Sequence, residues 1–191
     1  MAPDFQIFGK GIAGGYAPLS AMVTSRRILD VLSAGSGAPL HNQTFSQFPV
    51  SCAAGLATIR QIKAQGLIAR CVSMGGVLFQ HLAELQGHPH VGDVRGRGLL
   101  AGIEFVEDKA SRTPFDRSLR MAETLAETAQ EAGLVVWPHG GQASGRGGDL
   151  ILIGPPFIIT EDEISELTSR LPMALDATVE GICDRSRRLA R

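Results

Sequence analysis

The sequence predicts an α/β protein, because short apolar runs typical of strands alternate with longer segments whose apolar residues recur at helical spacing. The run Phe5 to Phe8 predicts a short buried strand, and residues 18–24 predict a second. Ser25 is placed to cap a helix over 26–32. Pro49 is placed to begin another helix, since proline at the first helical position has no N–H to lose. These elements fill the first third of the chain.

The rest of the chain is predicted from the same patterns. Strands are expected over 91–94, 99–106, 134–137 and 150–153, and a helix over 117–132. A polar, glycine-rich loop is expected over 138–148, of the kind that stays mobile or moulds to a ligand. Thr160 and Glu163 form a capping box that opens a terminal helix, which Pro172 is expected to kink or divide. The apolar faces expected to point inward are Ile28, Leu29 and Leu32; Cys52, Leu56, Ile59 and Ile62; Ile68, Val72, Gly75, Phe79 and Leu82; Leu119, Ala122, Leu125 and Ala129; and Ile164, Leu167, Leu171, Leu175 and Ile182.

Composition narrows the class of protein. The 191 residues are 44% hydrophobic and 19% charged, with a formal net charge of -1, which favours a globular chain without a nucleic-acid or membrane partner. Three cysteines, Cys52, Cys71 and Cys183, are far apart in apolar patterns and are predicted to be buried structural thiols. No leader or membrane span is evident, so we expect a cytoplasmic protein.

Lys10 is the principal candidate for chemistry. It follows an apolar run and lies within the glycine-rich stretch Phe8 to Gly15, where glycines permit positive φ or close approach to a ligand. Burial there would lower the pKa of the amine and make it a nucleophile suited to a Schiff base. The alternative is a glycine-rich turn whose lysine points to water. The local residues leave both interpretations open.

Four motifs resemble one enzyme family. The segments 3–20 and 41–54, the run Arg95 to Leu100, and Gly154 to Pro156 closely resemble the class III aminotransferases, which are pyridoxal 5'-phosphate (PLP) enzymes of fold type I. The resemblance implies the C-terminal portion of that fold: the end of the large-domain mixed sheet, a linking helix and a small α+β C-terminal domain. It places a PLP-binding part at 1–66 and the small domain, with its linking helix, at 67–191.

The resemblance also implies roles for three residues. Lys10 would form the Schiff base with PLP and then act as general base and acid. Thr44 would bind the cofactor phosphate of the neighbouring protomer, which implies a homodimer with shared active sites; its alternative role is a helix N-cap. Arg146 would pair with a substrate carboxylate, or else face solvent. The absence of arginine over 150–154 argues against an ornithine-type or 4-aminobutyrate-type enzyme.

The implied function is transamination between an amine or omega-amino acid and a keto acid such as pyruvate. Two alternatives stay open: an incomplete piece of a split enzyme that is inactive alone, and an aminomutase or decarboxylating relative. Arg95 and Arg97 are expected to brace the domain interface, and His41 to line the entrance to the site. Tyr16 and Trp137 would line the pocket or belong to the core, and the histidines lack metal-ligand spacing.

Overall fold

The structure is a computed structural model that describes residues 3–38, 43–143 and 145–189. His41, expected at the entrance of the site, lies outside the described residues. The chain divides into two compact units, Met1–Gly66 and Leu67–Arg191. The assignment of these units to a PLP-binding domain and a small C-terminal domain stays a prediction.

The first unit contains a two-stranded sheet and two helices. Strands β1 (Phe5–Phe8) and β2 (Ala21–Thr24) pair antiparallel, with a 3₁₀ turn over Lys10–Ala13 between them. Helices α1 (Arg26–Ala34) and α2 (Pro49–Ala64) follow. Both strands are confirmed, but the expected burial of β1 is wrong, since all four of its residues are exposed. The sheet has only two strands among the described residues, and no layer of described elements buries β1.

Helix α2 packs through small side chains and not through its predicted apolar stripe. Its buried residues are Ser51 and Gly55, whereas Cys52, Leu56 and Ile59 are exposed. The physical reason is close approach: a Cβ on Gly55 would lie 2.6 Å from the Leu19 Cδ2 atom. The predicted face of α1 also fails, since that helix has no buried residue.

The second unit is a four-stranded antiparallel sheet packed with three helices. Its helices are α3 (Leu67–Leu82), α4 (Met121–Glu131) and α5 (Glu161–Leu189). The strands β3 (Val91–Arg97), β4 (Leu100–Phe105), β5 (Trp137–Ala143) and β6 (Gly147–Ile153) lie in the order β3-β4-β6-β5. The core of this unit includes Leu78, Phe105, Leu125, Ile151 and Leu175, all nearly free of solvent contact.

Two sequence predictions for this unit need correction. The segment 138–148 is not a mobile loop: most of it forms the antiparallel β5–β6 hairpin, and β5 begins only at Trp137. The polar segment is ordered because β5 pairs with β6, an apolar strand inside the sheet. The composition of the segment alone does not reveal this pairing. The inward face of α3 is only partly as predicted: Gly75 and Leu82 are buried, but Ile68 and Val72 are 71% and 70% exposed. Leu67, Met74 and Leu78 are buried in addition.

Other predictions are confirmed. The Thr160 N–H donates to the Glu163 carboxylate at 2.8 Å, and the Glu163 N–H donates to Thr160 Oγ1 at 3.2 Å, so the capping box forms. Helix α5 buries the predicted Ile164, Leu171, Leu175 and Ile182, and it continues through Pro172 without division. The predicted helix over 117–132 forms mainly as α4, preceded by a 3₁₀ turn, Arg117–Leu119; Ala122, Leu125 and Ala129 are buried as expected.

The expected burial of the cysteines is wrong. Cys52 and Cys183 are exposed, Cys71 is partly buried, and all three thiols are free. Their apolar sequence neighbours do not predict burial, because helices α2 and α5 turn other residues inward. In the described ranges no single helix is long and apolar enough to cross a membrane, although α2 and the helical run Leu67–Gly87 meet the length and composition test as a broken pair.

Backbone contact joins α3 to the β3–β4 turn. A Cβ on Gly75 would lie 2.5 Å from the carbonyl oxygen of Gly98, and one on Gly98 would lie 2.8 Å from the Cys71 sulfur. Gly98 also has a φ of 57°, which favours glycine. The Arg-Gly-Arg-Gly motif is therefore the point at which the helix and the hairpin touch without intervening side chains.

We expect Gly75→Ala to lower the free energy of unfolding by about 1–3 kcal/mol, because the new methyl group meets rigid backbone atoms. Gly76→Ala is the matched control: its Cβ would enter open space, so alanine should raise helix stability by up to about 1 kcal/mol. Urea titrations of both variants measure the difference. Equal stabilities would contradict the close contact.

Candidate active site

Lys10 opens the 3₁₀ turn in a left-handed backbone conformation. Its φ is 48°, and Gly14 ends the turn with a φ of 62°, donating its N–H to the Gly11 carbonyl oxygen at 3.0 Å. A non-glycine residue with this φ costs roughly 1 kcal/mol, and such strain clusters at functional sites. The turn presents the Lys10 side chain outward from β1.

Of the two interpretations that the local residues leave open for Lys10, the structure shows the exposed lysine of a glycine-rich turn and not a buried amine. Lys10 is exposed, and among the described residues its amine has no hydrogen-bonding or ionic partner. In the small first unit, helix α2 packs against this turn and leaves the Lys10 side chain exposed. The amine is therefore accessible and unpaired.

Helix α2 supports the Lys10 turn. A Cβ on Gly14 would lie 3.1 Å from Thr58 Oγ1, and Gly55 faces Leu19 and the Ile12 carbonyl oxygen. These contacts tie the backbone on the C-terminal side of Lys10 to the middle of α2. The position of Lys10 therefore depends on small residues that lie 45–48 positions later in the sequence.

Thr44 lies in the turn that leads into the same helix. It is exposed, and its hydroxyl has no hydrogen-bonding partner among the described residues. The alternative N-cap role is wrong, because α2 begins at Pro49 and its N-cap is Phe48, without a side-chain cap. Thr44 and Lys10 thus belong to one unit, on segments that both adjoin α2, and no hydrogen bond joins the described atoms of the two.

Arg146 lies in the second unit, at the turn of the β5–β6 hairpin. Its backbone N–H donates to the Ala143 carbonyl oxygen at 3.4 Å, and its exposed guanidinium has no partner in the described ranges. Arg95 is occupied: it donates to Asp93 Oδ2 at 2.8 Å and to Glu104 Oε2 at 2.6 Å. These bonds raise the pKa of Arg95 and brace the β3–β4 hairpin.

The structure removes one of the two roles expected for Tyr16 and Trp137. Tyr16 and Trp137 are 91% and 68% exposed, so neither ring belongs to the core of this chain. His88 Nε2 lies 3.1 Å from Asp176 Oδ1 and its Nδ1 accepts the His90 N–H, so the neutral ring carries its proton on Nε2. Within the described ranges no group of three or more His, Cys, Asp or Glu is placed to hold a metal.

A buried carboxylate that was not among the predicted site residues lies in the hairpin that carries Arg146. Asp149 is fully buried; its Oδ1 accepts the Ala122 N–H at 3.1 Å and lies 3.5 Å from Arg117 Nη1, while its Oδ2 has no partner among the described atoms. Burial raises the pKa of Asp149. The sequence signal for this buried carboxylate is an acidic residue directly before the apolar run 150–153. A charge at the start of a buried strand needs a polar partner, which predicts a capping or ion-pair contact there.

Arg117 links this carboxylate to the first turn of α4. Its guanidinium is paired bidentately with Glu123, and this hydrogen bonding lowers the pKa of Glu123. Asp149 serves as the cap of α4, because Arg120 at the N-cap position supplies no side-chain hydrogen bond. The cluster fixes the start of β6, and with it the hairpin that carries Arg146.

Comparison with known proteins identifies the class. The profile of the family described as Aminotransferase class-III matches residues 1–175, so the chain belongs to the class III aminotransferases. It is similar to the uncharacterized aminotransferase YodT of Bacillus subtilis, at 36% identity over 87% of this chain and 38% of that protein. It is also similar to a diaminobutyrate–2-oxoglutarate transaminase of Halomonas elongata, at 33% identity over 94% of this chain and 38% of that protein.

A solved structure supports the same assignment. An (S)-enantioselective omega-transaminase from Thermomicrobium roseum superposes with a TM-score of 0.82 at 31% identity, over 93% of this chain and 38% of that one. The C-terminal portion of PLP fold type I and the aminotransferase class are thereby confirmed, and PLP is the cofactor of this family. The chain spans less than half the length of these relatives.

The side chains present fit two groups of PLP. The unpaired amine of Lys10 suits the cofactor carbonyl carbon, and the unpaired hydroxyl of Thr44 suits its phosphate. Asp4, the acidic residue nearest to Lys10 in sequence, accepts a hydrogen bond from Arg27 at 2.6 Å. Lys10 and Thr44 are therefore the described side chains whose chemistry suits a carbonyl carbon and a phosphate.

The cap made by Asp149 gives a prediction with a defined pH dependence. We expect Asp149→Asn to keep the acceptor for the Ala122 N–H and remove the buried charge, so its free energy of unfolding at pH 7 should equal or exceed the parent's by about 1 kcal/mol. The folded parent binds a proton at higher pH than the unfolded chain does. The parent therefore gains stability as pH falls towards 3.8, and the advantage of the variant should shrink there.

Asp149→Ala is the control, since it removes both the charge and the acceptor. It should be about 1 kcal/mol less stable than Asp149→Asn. Urea titrations of the three proteins between pH 4 and 8 provide the measurement. A variant Asp149→Asn as unstable as Asp149→Ala, or a constant difference from the parent across this range, would contradict the assignment.

Proposed function

We propose that this chain takes part in PLP-dependent transamination, which transfers an amino group from an amine or omega-amino acid to a keto acid such as pyruvate. Membership of the class III family supports the reaction class. The unpaired amine of Lys10, held at the end of β1 in a strained glycine-rich turn, is the observation that carries the proposal. The lack of arginine over 150–154 favours an omega-transaminase specificity.

Each candidate residue has a distinct task in this proposal. PLP, when bound, supplies an electron sink for the carbon that loses its proton. The Lys10 amine would hold the cofactor through its carbonyl carbon and, as general base and acid, would accept and return that proton. The Thr44 hydroxyl would donate to the phosphate of the partner protomer's cofactor. The active form is then a homodimer, and we place that form in the cytoplasm.

Arg146 would select the amino donor. A guanidinium on an exposed hairpin turn can pair bidentately with a carboxylate and leaves room for an uncharged amine when it faces water. Asp149 anchors the base of this hairpin to α4 by accepting the Ala122 N–H. The Arg146 side chain, and not the backbone of a mobile loop, would therefore move between the substrate carboxylate and water.

A second candidate function is a piece of an enzyme that needs another polypeptide for activity. The observation that favours it is the surface of the first unit, where large apolar side chains such as Ile7, Tyr16 and Phe45 are 75–91% exposed. Contiguous exposed apolar surface is typical of interaction sites. Covering this surface would also remove water from the Lys10 turn.

The first test traps the Schiff base. We expect PLP followed by borohydride to label Lys10 at near-full occupancy, as read by mass spectrometry of a digest. The other two lysines are internal controls: Lys63 is exposed, and Lys109 Nζ donates to the carbonyl oxygens of Gln86 and His88. Lys10→Ala should lose the specific adduct. Equal labelling of all three lysines would favour the second candidate over a formed site in this chain.

The second test concerns the donor. In a transamination assay of the active form, Arg146→Gln should raise the KM for an omega-amino acid about 10–100-fold, the cost of losing hydrogen bonds to a charged group. The KM for an uncharged amine should not change, because that donor makes no ion pair. An equal rise for both donors would contradict a carboxylate-binding role and indicate a general effect on the hairpin.

A further inference from the structure

The tip of the β5–β6 hairpin begins at the cross-strand pair formed by Gly140 and Asp149. Beyond this pair the register shifts, and pairing returns only where Ala143 faces Gly147. Arg146 lies between those two residues in the turn. The backbone ladder is therefore interrupted between the sheet and Arg146, so contacts at the Gly140–Asp149 pair set the direction of the tip.

The Arg117 guanidinium contacts both members of this pair. A Cβ on Gly140 would lie 3.4 Å from the Cζ, Nε and Nη2 atoms of Arg117, so the flat face of the guanidinium covers the glycine. The Nη1 atom of Arg117 lies 3.5 Å from Asp149 Oδ1 on the opposite strand. Glu123 binds the same group bidentately and fixes its plane. One side chain from the turn before α4 therefore spans both strands at the base of the tip.

The burial of Asp149 holds the Arg117 guanidinium at this place. The Asp149 carboxylate is fully buried, and its Oδ2 atom has no hydrogen-bonding partner among the described residues. In the part of the chain that the structure describes, Arg117 is the basic side chain within ionic distance of this carboxylate. A buried charge needs such a partner, because an unpaired one is costly to bury. Loss of the guanidinium would therefore leave Asp149 without its counter-charge and Gly140 without its cover.

We propose that Arg117 is a positioning residue for donor selection, which sets the direction of the hairpin tip and so places the Arg146 guanidinium against a substrate carboxylate. This inference rests on the proposed function, in which Arg146 pairs with that carboxylate. In this role Arg117 makes no contact with substrate and acts through the hairpin.

The size of the effect follows from the length of the tip. Arg146 is three residues from Asp149, or roughly 10 Å along a strand, so a tilt of about 10° at the pair would displace it by roughly 2 Å. A bidentate pair between a guanidinium and a carboxylate depends on the alignment of both groups. A displacement of this size therefore weakens recognition of the carboxylate and leaves donors without one unaffected.

The test is a double-mutant cycle on the active form, with β-alanine and α-methylbenzylamine as alternative amino donors. We expect Arg117→Gln to raise the KM for β-alanine about tenfold with kcat unchanged, because the carboxylate meets a displaced guanidinium. The KM for α-methylbenzylamine, which has no carboxylate, should not change. In an Arg146→Gln background, Arg117→Gln should have no further effect on the KM for β-alanine, because the group that it positions is already absent.

Arg120→Gln is the matched control. Arg120 lies three residues after Arg117, is exposed, and approaches Glu127 only to 3.9 Å. This variant removes the same charge near the start of α4 but leaves the Gly140–Asp149 pair covered. Its KM values for both donors should therefore match those of the parent.

Hydrogen exchange of the full chain tests the structural step without catalysis. In Arg117→Gln, the backbone amides of 139–143 and 147–149 should exchange faster than in the parent, because the tip opens locally. The amides of β4 should keep the parent's rate, since that strand lies in the core of the sheet. Arg120→Gln should exchange as the parent does at all of these positions.

Any of four results would overturn the proposal: an equal rise in KM for both donors, an undiminished rise in the Arg146→Gln background, the same rise in Arg120→Gln, or unchanged exchange at the hairpin tip. If Arg146→Gln raises the KM for β-alanine and Arg117→Gln does not, the proposed function stands and this inference is rejected. If Arg146→Gln changes neither KM, the proposed task of Arg146 fails first, and the inference fails with it.

Discussion

The close packing of α2 on the Lys10 turn is the contact on which the first unit depends. Ser51 and Gly55 face inward, and Gly55 leaves space that the Leu19 side chain fills. A larger residue would push the helix away and carry the turn with it. The Lys10 turn, which holds one of the candidate cofactor contacts, is therefore placed by residues with small side chains or none.

The second unit uses the same principle at a different point. Gly75 allows α3 to touch the backbone of the β3–β4 turn at Gly98, and the sheet then adds β6 and β5 to that hairpin. The apolar core is continuous around this contact. The two units differ in one respect: the second buries its apolar side chains, whereas the first exposes many of them.

This difference has a consequence for the chemistry proposed for Lys10. A Schiff-base lysine works best where water is excluded, because desolvation favours the neutral amine. In this chain the amine is exposed while the backbone that positions it is already formed and strained. The described chain thus fixes the backbone position of Lys10. Exclusion of water from its amine would require another surface to cover the exposed apolar side chains around the turn.

The sequence by itself determined the elements that depend on local signals. The capping box at Thr160, the inward face of α5 and the proline start of α2 form as predicted, because each is fixed by residues within one or two helical turns. The motifs around Lys10 and in the Arg95 hairpin were also sufficient to identify the class III family and its cofactor.

Only the tertiary structure decided which faces turn inward and which polar groups are buried. Helices α2 and α3 have apolar residues on more than one face, so spacing alone could not choose between Leu56 and Gly55, or between Val72 and Met74. The β5–β6 hairpin and the buried Asp149 likewise depend on contacts between segments distant in sequence. Periodicity reports the spacing of apolar groups, but burial is set by the surface that each element meets.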